Sequence, residues 1–373
     1  MNISSGGDTI NYHNDASAIA QFFWNDPVIF FELFLNSEAW KVPMDAFTYL
    51  SYNSNSAVVN TIRLTIPFEL ISFGGFYSTS IWVSFIAFTG IWKIYELLSN
   101  WFNYSNVLIL ILFIPSVLFW TGGILKDSYI LAAVCWLIYA VAQFVGNAEY
   151  KLKYILISVL SLIIILAIKP YILLALIPGI VTWVCLEALS NKKYKLIRGP
   201  IFLFFTLLII GVIFRIIQND LGIYGDYDNL VNVSKTLKKG YLETYQESII
   251  QNSQIRLQQI ESNVLNSTFS VIYKPLIGES WNLPSLLASL ENTLLLIFTL
   301  YVLLRSLFNP KSYMLLKRKS FLIFCILYSI LLAAGIGMGV GNYGAIFRFK
   351  SAFLIFLLIP ILVLYSKMIQ RNS

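Results

Sequence analysis

Pro115-Ser116-Val117-Leu118-Phe119-Trp120-Thr121-Gly122-Gly123-Ile124-Leu125-Lys126-Asp127-Ser128 sets a lysine and an aspartate between two apolar stretches. Charge is costly beside hydrocarbon, where it marks either a function or a membrane surface. Working outward, residues 107–114 on one side and 129–145 on the other contain no charged residue. The Lys126-Asp127 pair therefore reads as the edge between two membrane-embedded segments, and the fold class follows from that reading.

The rest of the chain has the same character. Of its 373 residues, 58% are hydrophobic and only 12% charged, about half the charged share of a soluble domain. About nine spans of roughly 16–22 residues are expected. They fall near 79–98, 107–124, 128–146, 152–168, 171–189, 200–217, 292–308, 320–340 and 349–366. Pro115 should break the second, and Lys169-Pro170 should end the fourth. The expected fold is all-α, a polytopic membrane helix bundle with two outer-face loop or half-helix segments. Met1 to Ala20 is polar, without a cleavable signal pattern, so the chain is expected to begin in a loop.

Orientation follows from charge. With residues 1–78 outside, the inner side holds Lys93, Lys151, Lys153, Lys192, Lys193, Lys195, Arg198, Arg305, Lys311, Lys317, Arg318, Lys319, Lys367 and Arg371. Only Glu96, Glu149 and Glu187 oppose them. Basic short loops mark the cytoplasmic face, so the N-terminus is expected outside and the C-terminus inside, in an inner (cytoplasmic) membrane. The net charge of +7 is explained by these loops rather than by nucleic acid.

Four regions result: an outer loop with interfacial helices over 1–78, a first bundle over 79–217, a second outer loop over 218–291, and a C-terminal bundle over 292–373. In the first loop, Leu64 to Ser78, with Pro67 and paired glycines, reads as an interfacial half-helix. In the second, Leu242, Tyr245, Ile249, Leu257, Ile260 and Val264 recur at roughly helical spacing, as in an amphipathic helix.

Several clusters carry chemistry. Gly7-Asp8-Thr9-Ile10-Asn11-Tyr12-His13-Asn14-Asp15 gathers two carboxylates, an imidazole and a phenol. Such a set can orient or deprotonate a hydroxyl, or hold a divalent cation through Asp8 and Asp15; its bland alternative is a solvated polar terminus. Lys126-Asp127 is either a helix cap with a snorkelling lysine or a phosphate contact beside a carboxylate. Arg348 and Lys350 either clamp a phosphate or anchor the chain at headgroup level beside Tyr343 and Phe347. Lys169 could meet an anionic headgroup. Glu279, beside Trp281, could contact a sugar, and Glu291 reads as the start of a span. His13 is the only histidine, which excludes a multi-histidine metal site. Cys135, Cys185 and Cys325 have no metal-type spacing and form no disulfide framework. No P-loop, GxSxG, HExxH or Rossmann pattern is visible.

In order, Asp8, Tyr12 to Asp15, the Pro-Ser-x-x-Phe-Trp-x-x-Gly-x-x-Lys-Asp run from Pro115 to Asp127, Lys169-Pro170-Tyr171, Leu290-Glu291-Asn292, and Asn342-Tyr343-Gly344 with Arg348 to Lys350 resemble a known family. They look like bacterial membrane proteins related to the GT-C glycosyltransferases, a class that includes protein mannosyltransferases and lipid A aminoarabinose transferases. The resemblance implies a polyprenyl-phosphate sugar donor, an acceptor of unknown identity and an inverting transfer at the outer face. It implies a base or metal contact at Asp8 or Asp15, the second-loop acid at Asp127, and donor-phosphate contacts among Lys126, Lys169, Arg348 and Lys350. Tyr12, His13 and Glu279 complete the candidate substrate site. No particular cofactor is implied; a divalent cation, if one is used, would be held by Asp8 and Asp15. A polysaccharide polymerase or lipid-linked oligosaccharide transporter is the first competing expectation, although a transporter should bury ionisable groups at mid-membrane. A non-catalytic membrane assembly protein is the second.

Overall fold

The computed structural model describes residues 7–36, 56–102, 105–146, 151–190, 264–280, 282–308, 318–340 and 343–369. The expected span near 200–217, most of the amphipathic pattern from Leu242 to Val264, Trp281 and Asn342 lie outside these residues. The helices are α1 (Asp8–Asn25), α2 (Pro27–Leu35), α3 (Ser56–Ile71), α4 (Phe76–Trp101), α5 (Ser105–Leu108), α6 (Pro115–Thr121), α7 (Lys126–Val145), α8 (Lys151–Ile168), α9 (Ile172–Ser190), α10 (Val264–Tyr273), α11 (Leu283–Leu307), α12 (Lys319–Gly339) and α13 (Tyr343–Ile369). Short 3-10 turns cover Ile109–Phe113 and Ile277–Glu279. No strand occurs among the described residues.

Six of these helices are long and apolar enough to cross a membrane: α4, α7, α8, α11, α12 and Gly344–Ile369 of α13. The side chains agree with a hydrocarbon solvent. On α8, Leu152, Leu156, Val159, Leu160 and Ile163 are exposed, and on α4 Ile81, Trp82 and Phe85 are too. Contiguous apolar exposure of this extent marks a surface that something apolar covers.

Local chemistry sets the boundaries. The expected second span is not one helix. Ile114 is extended before Pro115, and Pro115 opens α6 because a ring without an N–H fits only the first helical turn. Residues 105–121 are therefore α5, a 3-10 turn and α6 in series. The span expected to start at residue 292 begins at Leu283 instead. Asn282 caps it by accepting from the Ser285 N–H, and Pro284 occupies its first turn. Glu291 thus lies inside α11 rather than at its start. The polar stretch at the chain's beginning is also helical: α1 buries Tyr12, Asp15, Ala16, Ile19 and Ala20, so it is not a solvated terminus.

The chain forms two compact units. The first comprises Met1–Ile94, Leu118–Phe144 and Ala148–Lys169. There α1 packs on α2 and α3, and α3 packs on α8. Gly90 brings α4 against α7, where an added Cβ would lie 2.9 Å from Ala132 Cα. The second comprises Tyr95–Val117, Val145–Asn147 and Pro170–Ser373. Its α12 is surrounded by α9, α10 and α13. Trp183, Phe321, Phe324, Tyr328 and Phe356 make the aromatic centre, with Trp183 and Phe321 ring centroids 4.9 Å apart.

Small residues set the closest approaches, as between membrane helices generally. A Cβ at Gly337 would lie 2.9 Å from the Ser267 backbone, whereas one at Gly335 would meet nothing within 4 Å. Gly337→Ala should therefore lose about 1–3 kcal/mol of stability through overpacking, and Gly335→Ala should be neutral or slightly stabilising. Thermal unfolding of the detergent-solubilised variants checks this; equal effects would contradict the α10–α12 contact.

Candidate functional site

In the first unit, α3 presents polar groups to three other helices. Asn60 Nδ2 donates to the Ala167 carbonyl near the end of α8 at 3.0 Å. Thr65 Oγ1 and the Tyr129 hydroxyl of α7 share a hydrogen bond of 2.9 Å. Glu69 Oε1 lies 2.8 Å from His13 Nδ1 of α1. Each of these groups is buried or nearly so, where an unmade bond would cost about 1–3 kcal/mol. Together they fix α1, α7 and α8 to one helix.

The contact with α8 places its C-terminal end. Pro170 stops the helix after Ile168, and the Lys169 Nζ then reaches Asp127 Oδ1 at 2.5 Å. The side chains are 7% and 1% exposed, so this is a buried ion pair. Asp127 also lies in the first turn of α7, where the helix dipole favours a carboxylate. The backbone ahead of it is tied down by Ser128 Oγ, which donates to the carbonyls of Gly123 (2.7 Å) and Thr121 (3.2 Å). The glycine turn meets α1: a Cβ built at Gly123 would lie 3.7 Å from Thr9 Cγ2. The start of α1, with half-exposed Asp8, is therefore next to the turn that leads into half-exposed Lys126.

A groove of about 560 Å³ runs along α4. Tyr77, Ile81, Phe85, Phe88, Leu118 and Gly122 are among its lining residues. It follows a candidate span and ends at the same glycine turn.

The sequence candidates separate by unit. Asp8, Tyr12, His13, Asp15, Lys126, Asp127 and Lys169 belong to the first. Tyr12 and Asp15 are buried against the rest of the unit, at 2% and 0% exposure, whereas Asp8 and His13 are half-buried. Glu279, Arg348 and Lys350 belong to the second. Lys350 is buried, donating to Asn292 Oδ1 at 2.5 Å and to the Ile272 carbonyl, so it works as an internal clamp between α10, α11 and α13. Arg348, two residues N-terminal and so on a different face of α13, is half-buried. Glu279 accepts from the Leu276 N–H and pairs with Lys274 at 3.3 Å, a local role on an open surface. Glu291 accepts from both Ser116 N (2.8 Å) and Ser116 Oγ (2.6 Å), which caps α6. Among the described residues no group of three or more His, Cys, Asp or Glu is arranged to hold a metal ion.

Sequence reasoning missed Glu69. Its signal was a lone carboxylate in Ile66-Pro67-Phe68-Glu69-Leu70-Ile71, which must find a partner if that segment is buried. No protein-family model, no curated protein and no solved structure matches the chain.

Glu69 lies outside the six candidate spans. Burial pushes its carboxyl above the ordinary glutamate range, and the neighbouring His13 and Thr79 oppose that rise. A carboxyl raised on folding contributes stability below its unfolded pKa and loses it as pH climbs through the folded value. The melting temperature of the native protein should therefore fall, relative to Glu69→Gln, as pH rises above the ordinary glutamate range. Parallel melting curves for the two proteins across that window would contradict the burial cost.

Proposed function

We propose that this chain is a GT-C-like glycosyltransferase of the bacterial cytoplasmic membrane. It moves a sugar from a polyprenyl-phosphate donor to an acceptor hydroxyl at the outer face. The full span set is about nine, with the N-terminus outside, as the charge of the short loops requires. The observation that carries the reading is the meeting of the Asp8-Thr9 end of α1 with the Gly122-Gly123 turn before Lys126-Asp127. Two motifs more than a hundred residues apart in sequence thus lie side by side, at a turn that also lines an apolar groove.

The roles follow from exposure. Asp127 is held by Lys169 as a buried ion and shapes the turn rather than reacting. Asp15 is fully buried and supports α1. Asp8, half-exposed, orients the acceptor hydroxyl. Lys126, also half-exposed, faces the donor phosphate and stabilises the charge that gathers on it as the glycosidic C–O bond breaks; such electrostatic support supplies a large part of catalysis. The groove along α4 takes the isoprenoid chain, because it lies along a candidate span and ends where the phosphate would sit.

Purified protein assayed with synthetic polyprenyl-phosphate sugars tests the reading. Asp8→Asn should lower kcat about 10²-fold or more, and Lys126→Ala should raise KM for the donor and lower kcat. Unchanged transfer in Asp8→Asn, Asp15→Asn and Asp127→Asn alike would refute the site.

A further inference from the structure

We infer that His13 and Glu69 form a general-base dyad in which Glu69 fixes the imidazole and His13 takes the proton of the acceptor hydroxyl; the inference rests on the transferase reading above. Geometry carries it. The Glu69 carboxylate contacts His13 Nδ1 at 2.8 Å and is buried. An ionised carboxylate only accepts, so Nδ1 carries the proton and Nε2 presents its lone pair. Nε2 makes no hydrogen bond to any described residue, and the ring is braced edge-on by Phe76 with centroids 5.2 Å apart. The side chain is 13% exposed, enough to reach a small group from outside while its partner stays dry.

A second observation concerns the carboxylate. Glu69 Oε2 is buried without a hydrogen-bond partner among the described residues, as are the neighbouring Ser72 Oγ and Thr79 Oγ1. A carboxylate serving only as glue between α1 and α3 would be expected to satisfy both oxygens, since a buried orphan acceptor is costly. Here the short hydrogen bond of the carboxylate goes to the imidazole, with the Thr79 hydroxyl nearby. An imidazole with one nitrogen on a buried carboxylate and the other open is the arrangement that activates hydroxyls in unrelated folds.

The step balances. The acceptor O–H proton passes to His13 Nε2, and the resulting imidazolium is stabilised by Glu69 through Nδ1–H. The acceptor oxygen forms its bond to the anomeric carbon while the bond from that carbon to the phosphate oxygen breaks. The electron pair leaves on the polyprenyl phosphate, and the imidazolium returns its proton to water. Glu69 is here a positioning residue and His13 the catalytic one.

The chain has one histidine, so ¹⁵N-histidine labelling of the full-length protein in detergent reports a single imidazole. The neutral ring should be the Nδ1–H tautomer in the native protein, and Glu69→Gln should lose that preference. In the transfer assay, His13→Gln should lower kcat about 10²–10³-fold with little change in donor KM, and Glu69→Asp should recover activity over Glu69→Gln. An Nε2–H tautomer in the native protein, or native kcat in both His13→Gln and Glu69→Gln, overturns the dyad while leaving the transferase reading intact. Absence of transfer by the native protein overturns the transferase reading and with it the acceptor role given to His13.

Discussion

The buried pair of Asp127 and Lys169 is the interaction on which the first unit turns. Separating two charges from water costs several kcal/mol for each ion, and the cost is met only when the geometry is close and the remaining groups are satisfied. Here the distance is 2.5 Å, and Asp127 gains further from the start of α7. The pair closes a circuit of helices. Asn60 fixes α8 to α3, Pro170 ends α8 at the level of α7, and Lys169 then holds the turn that faces α1. Without the ammonium, the carboxylate that anchors this turn would lose its buried counter-ion.

The same constraint explains the order of the candidate residues. Groups deep in the unit are spent on each other: Asp127 on Lys169, and Thr65 on Tyr129. Half-exposed groups at the rim, Asp8, His13 and Lys126, are those in a position to meet a substrate. In the second unit the rule gives a different result for Lys350. Its charge is taken up by Asn292 and the Ile272 carbonyl, which leaves half-buried Arg348 as the more accessible cation of that motif.

Much of the fold could be read from the sequence, because span chemistry is a local matter of length and apolarity. Pro115 breaking its segment, Lys169-Pro170 ending α8, and the long apolar runs of α4, α7, α8, α12 and α13 all follow from rules about single residues. What escaped depended on partners distant in the chain. Glu291 looked like the beginning of a helix because it carries the first charge before an apolar run; the true beginning was written in Asn282, Pro284 and Ser285. Its actual work, capping α6 through Ser116, joins residues 175 positions apart. Lys169 read as a headgroup contact because its partner lies 42 residues upstream. Glu69 was hidden inside an apparent interfacial segment. In each case the residue type announced a need for a partner, and only the packing supplied it.

The central claim, that Asp127 and Lys169 stabilise the turn that faces α1 as one buried unit, is tested most directly by a double-mutant cycle on unfolding in detergent. Asp127→Asn and Lys169→Met should each cost about 3–5 kcal/mol, because each breaks a buried ion pair. The double variant should cost clearly less than the two together. Additive effects, within about 0.5 kcal/mol, would show that the two groups do not interact and would contradict the account.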